Sequence, residues 1–450
     1  MERASASSSR ARSHAASRLA WQLWVSIYVF TLLSPLALLV LAPARGGDRL
    51  DLFALYAGYL GFTGFALQLV LPSRLPGVSE TFGIPLLLRV HRALGSMVLA
   101  FVVLHVAIFA WHHPKYRDWL LWPFDDAPRA QLGWLAVVAL LALLVTTWGR
   151  RRFRLSYEHW RFLHLALGLL CTSAALGHVL VISWYSAYAP LRWLLLGIFA
   201  LGIGSVAYLR VLRPYARLAA PYHVRAVVPE RGAATSLLLE AAGHDGIRFQ
   251  PGQFAWIKVK GGTYSLQEHP FSFSSSAADP RRPSFTIKAL GDFSSGVESI
   301  QVGTEVLIDG PHGSWMPPVP DAGYVLIVAG IGITPAMSII RTLADQADGR
   351  PVRLLYGART WDDITFREEI DALALRPDLA LEPWYVLDTP PEGWTGWSGR
   401  MDAKLMPQLL PPDAGARNYF ICGPPMMIDG VLATLNGLGI PDDLVYADRF

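Results

Sequence analysis

The sequence predicts a multi-domain membrane protein: a six-helix transmembrane bundle, then an antiparallel β-barrel, then a doubly wound α/β domain. From Leu19 to Leu212 the chain is mostly long apolar runs. From Arg213 onward short strand-like segments with polar loops take over. Beyond Asp321 strand-like and helix-like segments alternate, the pattern of a parallel sheet covered on both faces.

A chain of 450 residues is too long for one core. Its 52% hydrophobic and 16% charged content is that of a membrane protein. Net charge is +4, and the excess is arginine set between apolar runs, so it argues for membrane topology and not for nucleic acid. Two cysteines, Cys171 and Cys422, are too few and too separated for a disulfide framework or a thiolate metal site.

Runs of ~17–25 apolar residues cross a bilayer as helices. Six are predicted, over Leu19–Ala42, Leu52–Leu71, Leu86–Trp111, Leu132–Trp148, Phe162–Trp184 and Leu191–Leu212. The first span has no cleavage-site pattern and is too long for the apolar core of a signal peptide, so it is expected to be retained, and the Ser/Arg-rich residues 1–18 before it are expected to be disordered. Arg3, Arg10, Arg12, Arg18, Arg74, Arg89, Arg92, Arg150, Arg151, Arg152, Arg154, Arg161, Arg210, Arg213 and Arg217 fall on one side of these spans, fifteen charges in all. Arg45, Arg49, Lys115, Arg117, Arg129 and Arg192, six charges, fall on the other. Positive charge resists translocation, so both termini are expected in the cytoplasm, with spans three and five running in the same direction.

Those two spans carry matched histidines. "HRALGSMVLAFVVLH" runs from His91 to His105, and "HLALGLLCTSAALGH" from His164 to His178. Fourteen residues at ~100° each return to within about 40° of the start and rise roughly 21 Å, so each pair occupies one helix face at two depths. Parallel helices then set His91 level with His164 and His105 level with His178. Imidazole is an axial ligand of haem iron, and facing helices of a bundle can hold a porphyrin between two of them. Gly95 and Gly168, one turn after a histidine, leave room for a macrocycle. Hydrogen-bonding core histidines, or a transporter's proton or metal relay, are the competing readings.

In the second half, "HPFSFSSS" (His269, Pro270, Phe271 and Ser272 onward) suits stacking of an aromatic on a flat ring, with a hydroxyl at the ring's edge. "IKALGDFSSG" offers Lys288, Gly291, Ser294 and Ser295 to a phosphate. "GIGITP" follows a strand; its Gly330 and Gly332 would form the turn, Thr334 the N-cap and Pro335 the first helical residue, with amides aimed at a pyrophosphate. "CGPPMM", from Cys422, Gly423 and Pro424, ends another strand at the same carboxyl edge, where open α/β sheets bind ligands. Arg359, after the second strand, is either where an adenosine 2′-phosphate would be met or a solvated loop arginine.

Together these residues resemble the NADPH oxidase and ferric reductase transmembrane superfamily over nearly the whole chain, in its compact bacterial form. The resemblance implies a transmembrane haem domain over 19–214, an FAD-binding barrel over 218–317 and an NAD(P)H-binding domain over 321–450. It implies two b-type haems on His91, His105, His164 and His178, FAD on the "HPFSFSSS" strand, and NADPH or NADH as donor. The carboxy-terminal Phe450 would stack on the flavin where nicotinamide must enter, and Phe450 and Cys422 are the residues expected at the point of transfer. Electrons would leave the outer face to O2, giving superoxide, or to a ferric chelate. The lipid bilayer is the expected surrounding, in a bacterial inner membrane, with no nucleic acid and no obligatory protein partner.

Overall fold

A computed structural model describes residues 2–42, 48–75, 77–121, 128–182, 186–217, 220–259, 267–313 and 322–449. The chain divides into two units, Met1–Pro214 and Tyr215–Phe450.

The first unit is helical. Its long helices are α1 (Glu2–Leu41), α2 (Arg49–Gln68), α3 (Ile84–His112), α4 (Pro128–Trp148), α5 (Tyr157–Ile182) and α6 (Ala189–Ala207). Among the described residues these six are long and apolar enough to cross a membrane, as predicted. The first begins earlier than expected: α1 takes in residues 2–18, where disorder is predicted. Five alanines and four arginines in that stretch are good helix formers and carry the span's helix onward. The last span ends its α-helix at Ala207 and continues as a π-helical turn, Tyr208–Leu212.

The unit is organised on α2, whose Ala54, Ala57, Gly61, Thr63, Gly64 and Ala66 are buried. Small side chains let neighbouring spans come close where lipid offers no hydrophobic drive. A Cβ on Gly64 would stand 2.6 Å from Val98 of α3, and one on Gly202 of α6 would stand 2.9 Å from the Ala66 carbonyl. Large apolar side chains such as Phe30, Leu141 and Trp193 point outward, as a lipid-facing surface requires. Helix α2 packs along α3, and α4 along α5.

The second unit has two six-stranded sheets. Strands β1 (Tyr222–Glu230), β2 (Ala234–Ala241), β3 (Phe254–Val259), β4 (His269–Ser272), β5 (Ser284–Lys288) and β6 (Glu305–His312) pair antiparallel in the order β4-β3-β6-β1-β2-β5. A bridge between Phe273 and Phe285 joins the two edges, so the sheet curls into the expected barrel around Leu237, Ile257, Phe273 and Phe285. Strands β7 (Tyr324–Ala329), β8 (Val352–Ala358), β9 (Leu381–Leu387), β10 (Trp397–Ser398), β11 (Asn418–Gly423) and β12 (Val445–Arg449) form a parallel sheet in the order β10-β9-β8-β7-β11-β12. Helices α7 (Ile333–Asp345), α8 (Arg367–Ala374) and α9 (Pro425–Gly437) connect them. Each face of this sheet has its own core, one around Leu326 and Ile340, the other around Ile327 and Val431, which is the doubly wound arrangement.

Arg341 on α7 ties the barrel to the sheet. Its guanidinium donates to both carboxylate oxygens of Glu369 at 2.7 and 2.6 Å and to the Ser274 carbonyl at 2.5 Å. Next to it, Thr342 Oγ1 accepts from the Ala277 amide at 2.9 Å. Charged hydrogen bonds of this kind contribute ~1–2 kcal/mol where partly solvated. Arg341→Met is therefore expected to lower the melting transition of the cytoplasmic half by a few degrees, read by fluorescence, while Arg359→Met leaves it unchanged.

Candidate functional site

The structure brings the first histidine of α3 beside the first of α5: the His91 and His164 rings have centres 6.2 Å apart at 60°. Two imidazoles that bound one metal ion from opposite sides, each nitrogen at about 2 Å, would have ring centres about 6 Å apart. The other pair, His105 and His178, lies within electrostatic reach of each other. The pairing is level, as the parallel spans require.

What holds each ring comes from the neighbouring helix. His105 Nδ1 lies 2.9 Å from the Ala54 carbonyl of α2, and His178 Nδ1 lies 2.7 Å from the Arg129 carbonyl of α4. A carbonyl only accepts, so both rings carry their proton on Nδ1 and present a bare Nε2. His164 Nδ1 lies 3.2 Å from Thr147 Oγ1, whose own proton goes to the Leu143 carbonyl at 2.7 Å. That hydroxyl too must accept from the imidazole. At His91 the partner is the buried Gln68 amide, 2.6 Å from Nδ1. Its nitrogen, turned to Nδ1, also bonds the His91 carbonyl at 3.2 Å and leaves its oxygen to accept from the Gly95 amide at 3.0 Å; its oxygen, turned to Nδ1 instead, would give His91 the tautomer of the other three.

Two glycines complete the outer pair. A Cβ on Gly58 of α2 would stand 2.5 Å from the His105 ring, and one on Gly133 of α4 would stand 2.8 Å from the His178 ring. Each glycine sits one turn after the carbonyl that holds the same imidazole. Gly95 behaves as expected, with open space where a side chain would project. Gly168 differs: a Cβ there meets Leu143 and Leu69 at ordinary contact, so it serves helix packing. Among the described residues, Trp160 Nε1, Trp119 Nε1 and Arg129 Nε are buried without a hydrogen-bond partner. Trp160 stands 5.3 Å from the His164 ring, and Arg129 lies over the Trp119 ring at 5.2 Å. Bare imidazole nitrogens on His105, His178 and His164, His91 facing His164, open space at Gly95 and orphaned donors at both ends fit a haem with anionic propionates between each pair.

In the second unit, β4 pairs with β3 so that His269 lies opposite Ile257 and Ser272 opposite Phe254. The His269 ring stacks on Phe293 at 3.9 Å, which brings the "HPFS" strand and the "GDFSSG" turn together. Pro270 lies exposed, Phe271 and Ser272 are half-buried, and Phe271 is 6.0 Å from Phe293. The expected phosphate donors are altered in one respect. Ser294 Oγ caps its own turn, accepting from the Leu290 and Gly291 amides at 2.9 and 2.8 Å, so Lys288 and exposed Ser295 are the donors that remain.

The glycine turn is pinned. Gly330 has φ 55°, and a Cβ on Gly332 would stand 2.3 Å from the Cys422 carbonyl, which leaves no room for a side chain. Tyr356 of β8 donates to the Gly330 carbonyl at 3.0 Å and accepts from the Thr365 amide at 3.1 Å. The helix starts two residues before Pro335, at Ile333, with Gly332 as N-cap. Thr334 is therefore not the cap: its hydroxyl lies inside the first turn and donates to the Ile331 carbonyl at 3.0 Å. Gly332 already has right-handed helical backbone and leads straight into α7, and Pro335 is tolerated in the first turn, where an N–H is often left without an intrahelical partner. Cys422, Gly423 and Pro424 close the same edge from β11, and Arg359 stands exposed at the end of β8. Cys422 is fully buried, and burial, with Asp448 nearby, holds its thiol well above its ordinary pKa. It can act there only as a neutral thiol. Phe450 lies outside the described residues.

Three family models match in succession: ferric reductase like transmembrane component over 57–175, FAD-binding domain over 239–315 and oxidoreductase NAD-binding domain over 326–432. The chain has the NADPH oxidase and ferric reductase-like architecture. The transmembrane match includes His91, His105 and His164 and ends short of His178. NADH-cytochrome b5 reductase 1 of Debaryomyces hansenii is 36% identical over 33% of this chain and 53% of its own length. The propane 2-monooxygenase reductase component of Rhodococcus jostii is 30% identical over 50% of this chain and 62% of its own. This chain thus spans half to two thirds of these relatives. The ferredoxin reductase of carbazole 1,9a-dioxygenase, a solved structure, is 26% identical over 51% of this chain and 69% of that one, with a TM-score of 0.45.

The partners that hold the ferric reductase-like unit's histidines, Ala54, Gly58, Gln68, Arg129, Gly133 and Thr147, escape sequence reasoning. Only Gln68, an amide in an apolar run, carries a signal that could have been read. For Cys422, iodoacetamide at about pH 8 is expected to label the folded chain's β11 thiol slowly and the unfolded chain's fully, by peptide mass spectrometry; equal rates in both states would contradict a buried, neutral thiol.

Proposed function

We propose that the chain is a transmembrane oxidoreductase that carries electrons from cytoplasmic NAD(P)H through FAD and two b-type haems to an acceptor on the outer face, O2 giving superoxide. The observation that carries this reading is the level pairing of His91 with His164 and His105 with His178, with Nδ1 partners that leave a bare Nε2 on His105, His178 and His164. When bound, flavin turns a two-electron donor into single electrons and haem iron relays them one at a time.

The chain's own residues supply position. His91 with His164, and His105 with His178, are the metal ligands. The pinned turn at Gly330 and Gly332 offers amides to the dinucleotide's pyrophosphate, and Arg359 offers a guanidinium to a 2′-phosphate. The strand from His269 to Ser272, with Lys288 and Ser295, forms the flavin side, Ser294 and Gly291 holding the turn. Cys422, with Gly423 and Pro424, borders the nicotinamide, and Phe450 covers the flavin until it enters. Arginine asymmetry supports a cytoplasmic location for both termini and for the second unit in a bacterial inner membrane, and no protein partner is invoked. The proposed domain limits are 19–214, 218–317 and 321–450.

A ferric-chelate reductase with the same path is the second reading. It is favoured by a group of histidines and carboxylates, Asp48, Asp51, His112 and His113, where α2 begins and α3 ends.

Reduced-minus-oxidised spectra test the path. Wild type is expected to show two low-spin b haems, and His105→Ala one. Gly133→Val, whose side chain would strike the His178 ring, is expected to lose the same haem as His105→Ala and keep the other. A folded His105→Ala protein with both haems intact would overturn the assignment. In wild type driven by NADPH, superoxide without ferrous product selects the oxidase, and ferrous product without superoxide selects the reductase.

A further inference from the structure

Helix α2 begins where α3 ends, and four side chains with metal-binding chemistry meet there. His113 Nε2 lies 2.8 Å from Asp51 Oδ1, and His112 Nε2 lies 2.7 Å from Asp48 Oδ2. The two imidazoles are edge to face with centres 4.7 Å apart. One ligand atom from each of Asp51, His112 and His113 falls within 4.8 Å of the others. The sequence gives no reason to single these histidines out: they adjoin each other and lack the fourteen-residue relation.

We propose that Asp51, His112 and His113 form a binding site for a first-row transition-metal cation, with Asp48 orienting His112. The donor set of two imidazoles and a carboxylate suits Fe and Zn and leaves positions open for water or a chelator. Two ligands at 2.0–2.1 Å from a tetrahedral metal stand ~3.3 Å apart, so an ion replacing the shared proton between His113 and Asp51 needs those atoms to part by only about half an ångström. The site is stiff on one side. Asp48 Oδ1 caps α2, accepting from the Leu50 and Asp51 amides at 2.9 Å each, which leaves Oδ2 for the imidazole. That is the carboxylate–histidine–metal relation, in which the outer carboxylate fixes the ring. The site is also reachable, since half of the Asp48 side chain and a third of each imidazole face solvent.

Its place gives it a use. Phe109, one turn along α3, lies 5.1 Å from the His105 ring and 6.2 Å from the His113 ring, and Asp51 precedes Ala54, the carbonyl that holds His105, by one turn. A ferric ion seated here would stand at the end of the electron path and take one electron to become ferrous, with no bond made or broken. That use rests on the electron path proposed above; the binding does not.

Zn2+ is the probe, because it binds such ligands and accepts no electron. Full-length protein in detergent, loaded with Zn2+ and washed with a weak chelator in the absence of NAD(P)H, is counted for zinc by mass spectrometry. Wild type is expected to keep one ion that Asp51→Asn and His113→Gln lose, and Asp48→Asn is expected to weaken its affinity about 10- to 100-fold. X-ray absorption at the zinc edge of wild type needs no variant and is expected to show two imidazoles on that ion. The same zinc content in wild type and both ligand variants, or a zinc shell without imidazole, overturns the proposal. A chain that lacked haem would still give the expected zinc result if only the electron path were wrong.

Discussion

An imidazole N–H inside a bilayer must find an acceptor, because no water is there to supply one and an unsatisfied polar group costs several kcal/mol. In this chain that requirement selects chemistry as well as stability. The acceptor fixes which nitrogen keeps the proton, and so which nitrogen faces the opposite helix. Two backbone carbonyls and one hydroxyl whose own proton is already engaged admit only one tautomer at His105, His178 and His164. The amide of Gln68 is the one partner able to present either end, which makes His91 the histidine whose state depends on its neighbour's orientation. Helices α2 and α4 are thus as much part of the site as the helices that carry the histidines. Their glycines at 58 and 133 let them approach the rings closely enough for those bonds to form.

Much of this was legible in the sequence and part was not, for definite reasons. Six spans follow from apolar length, and the level pairing of His91 with His164 follows from spacing and helix direction alone. The barrel and the doubly wound sheet follow from strand spacing and alternation. The partners Ala54 and Arg129 act through backbone carbonyls, which every residue has, so nothing in their identity marks them. Gly58 and Gly133 look like any packing glycine until the ring they touch is known. Threonine before a proline is a common start of a helix, whereas here Gly332 already has helical backbone and the helix starts upstream, at Ile333. Residues 2–18 were read as disordered from serine and arginine content, yet alanine and arginine continue the helix of the first span. His112 and His113 adjoin each other and share no spacing with a second pair, so the sequence does not mark them. Their partners Asp48 and Asp51 are more than sixty positions away and meet them only because α2 starts where α3 stops.

The second unit shows the same economy of means at a sheet edge. Gly332 lies against the Cys422 carbonyl, so the two turns that would grip a dinucleotide share one contact and cannot drift apart. Tyr356 locks the Gly330 carbonyl from a third strand, and burial raises its phenol pKa, keeping it a neutral donor. Arg341 then fixes the barrel's serine-rich strand end to the helix that follows the glycine turn. A site that must bring two flat rings together is built here on elements held at both ends, not on free loops.

Low-temperature electron paramagnetic resonance of the oxidised, full-length protein, with haem counted in the same sample, tests the central claim most directly. Two haems per chain, both low-spin with bis-imidazole ligation, is the result expected from two level pairs of imidazoles on facing helices. A folded chain with its full helix content but without haem, or with only high-spin iron, would contradict it.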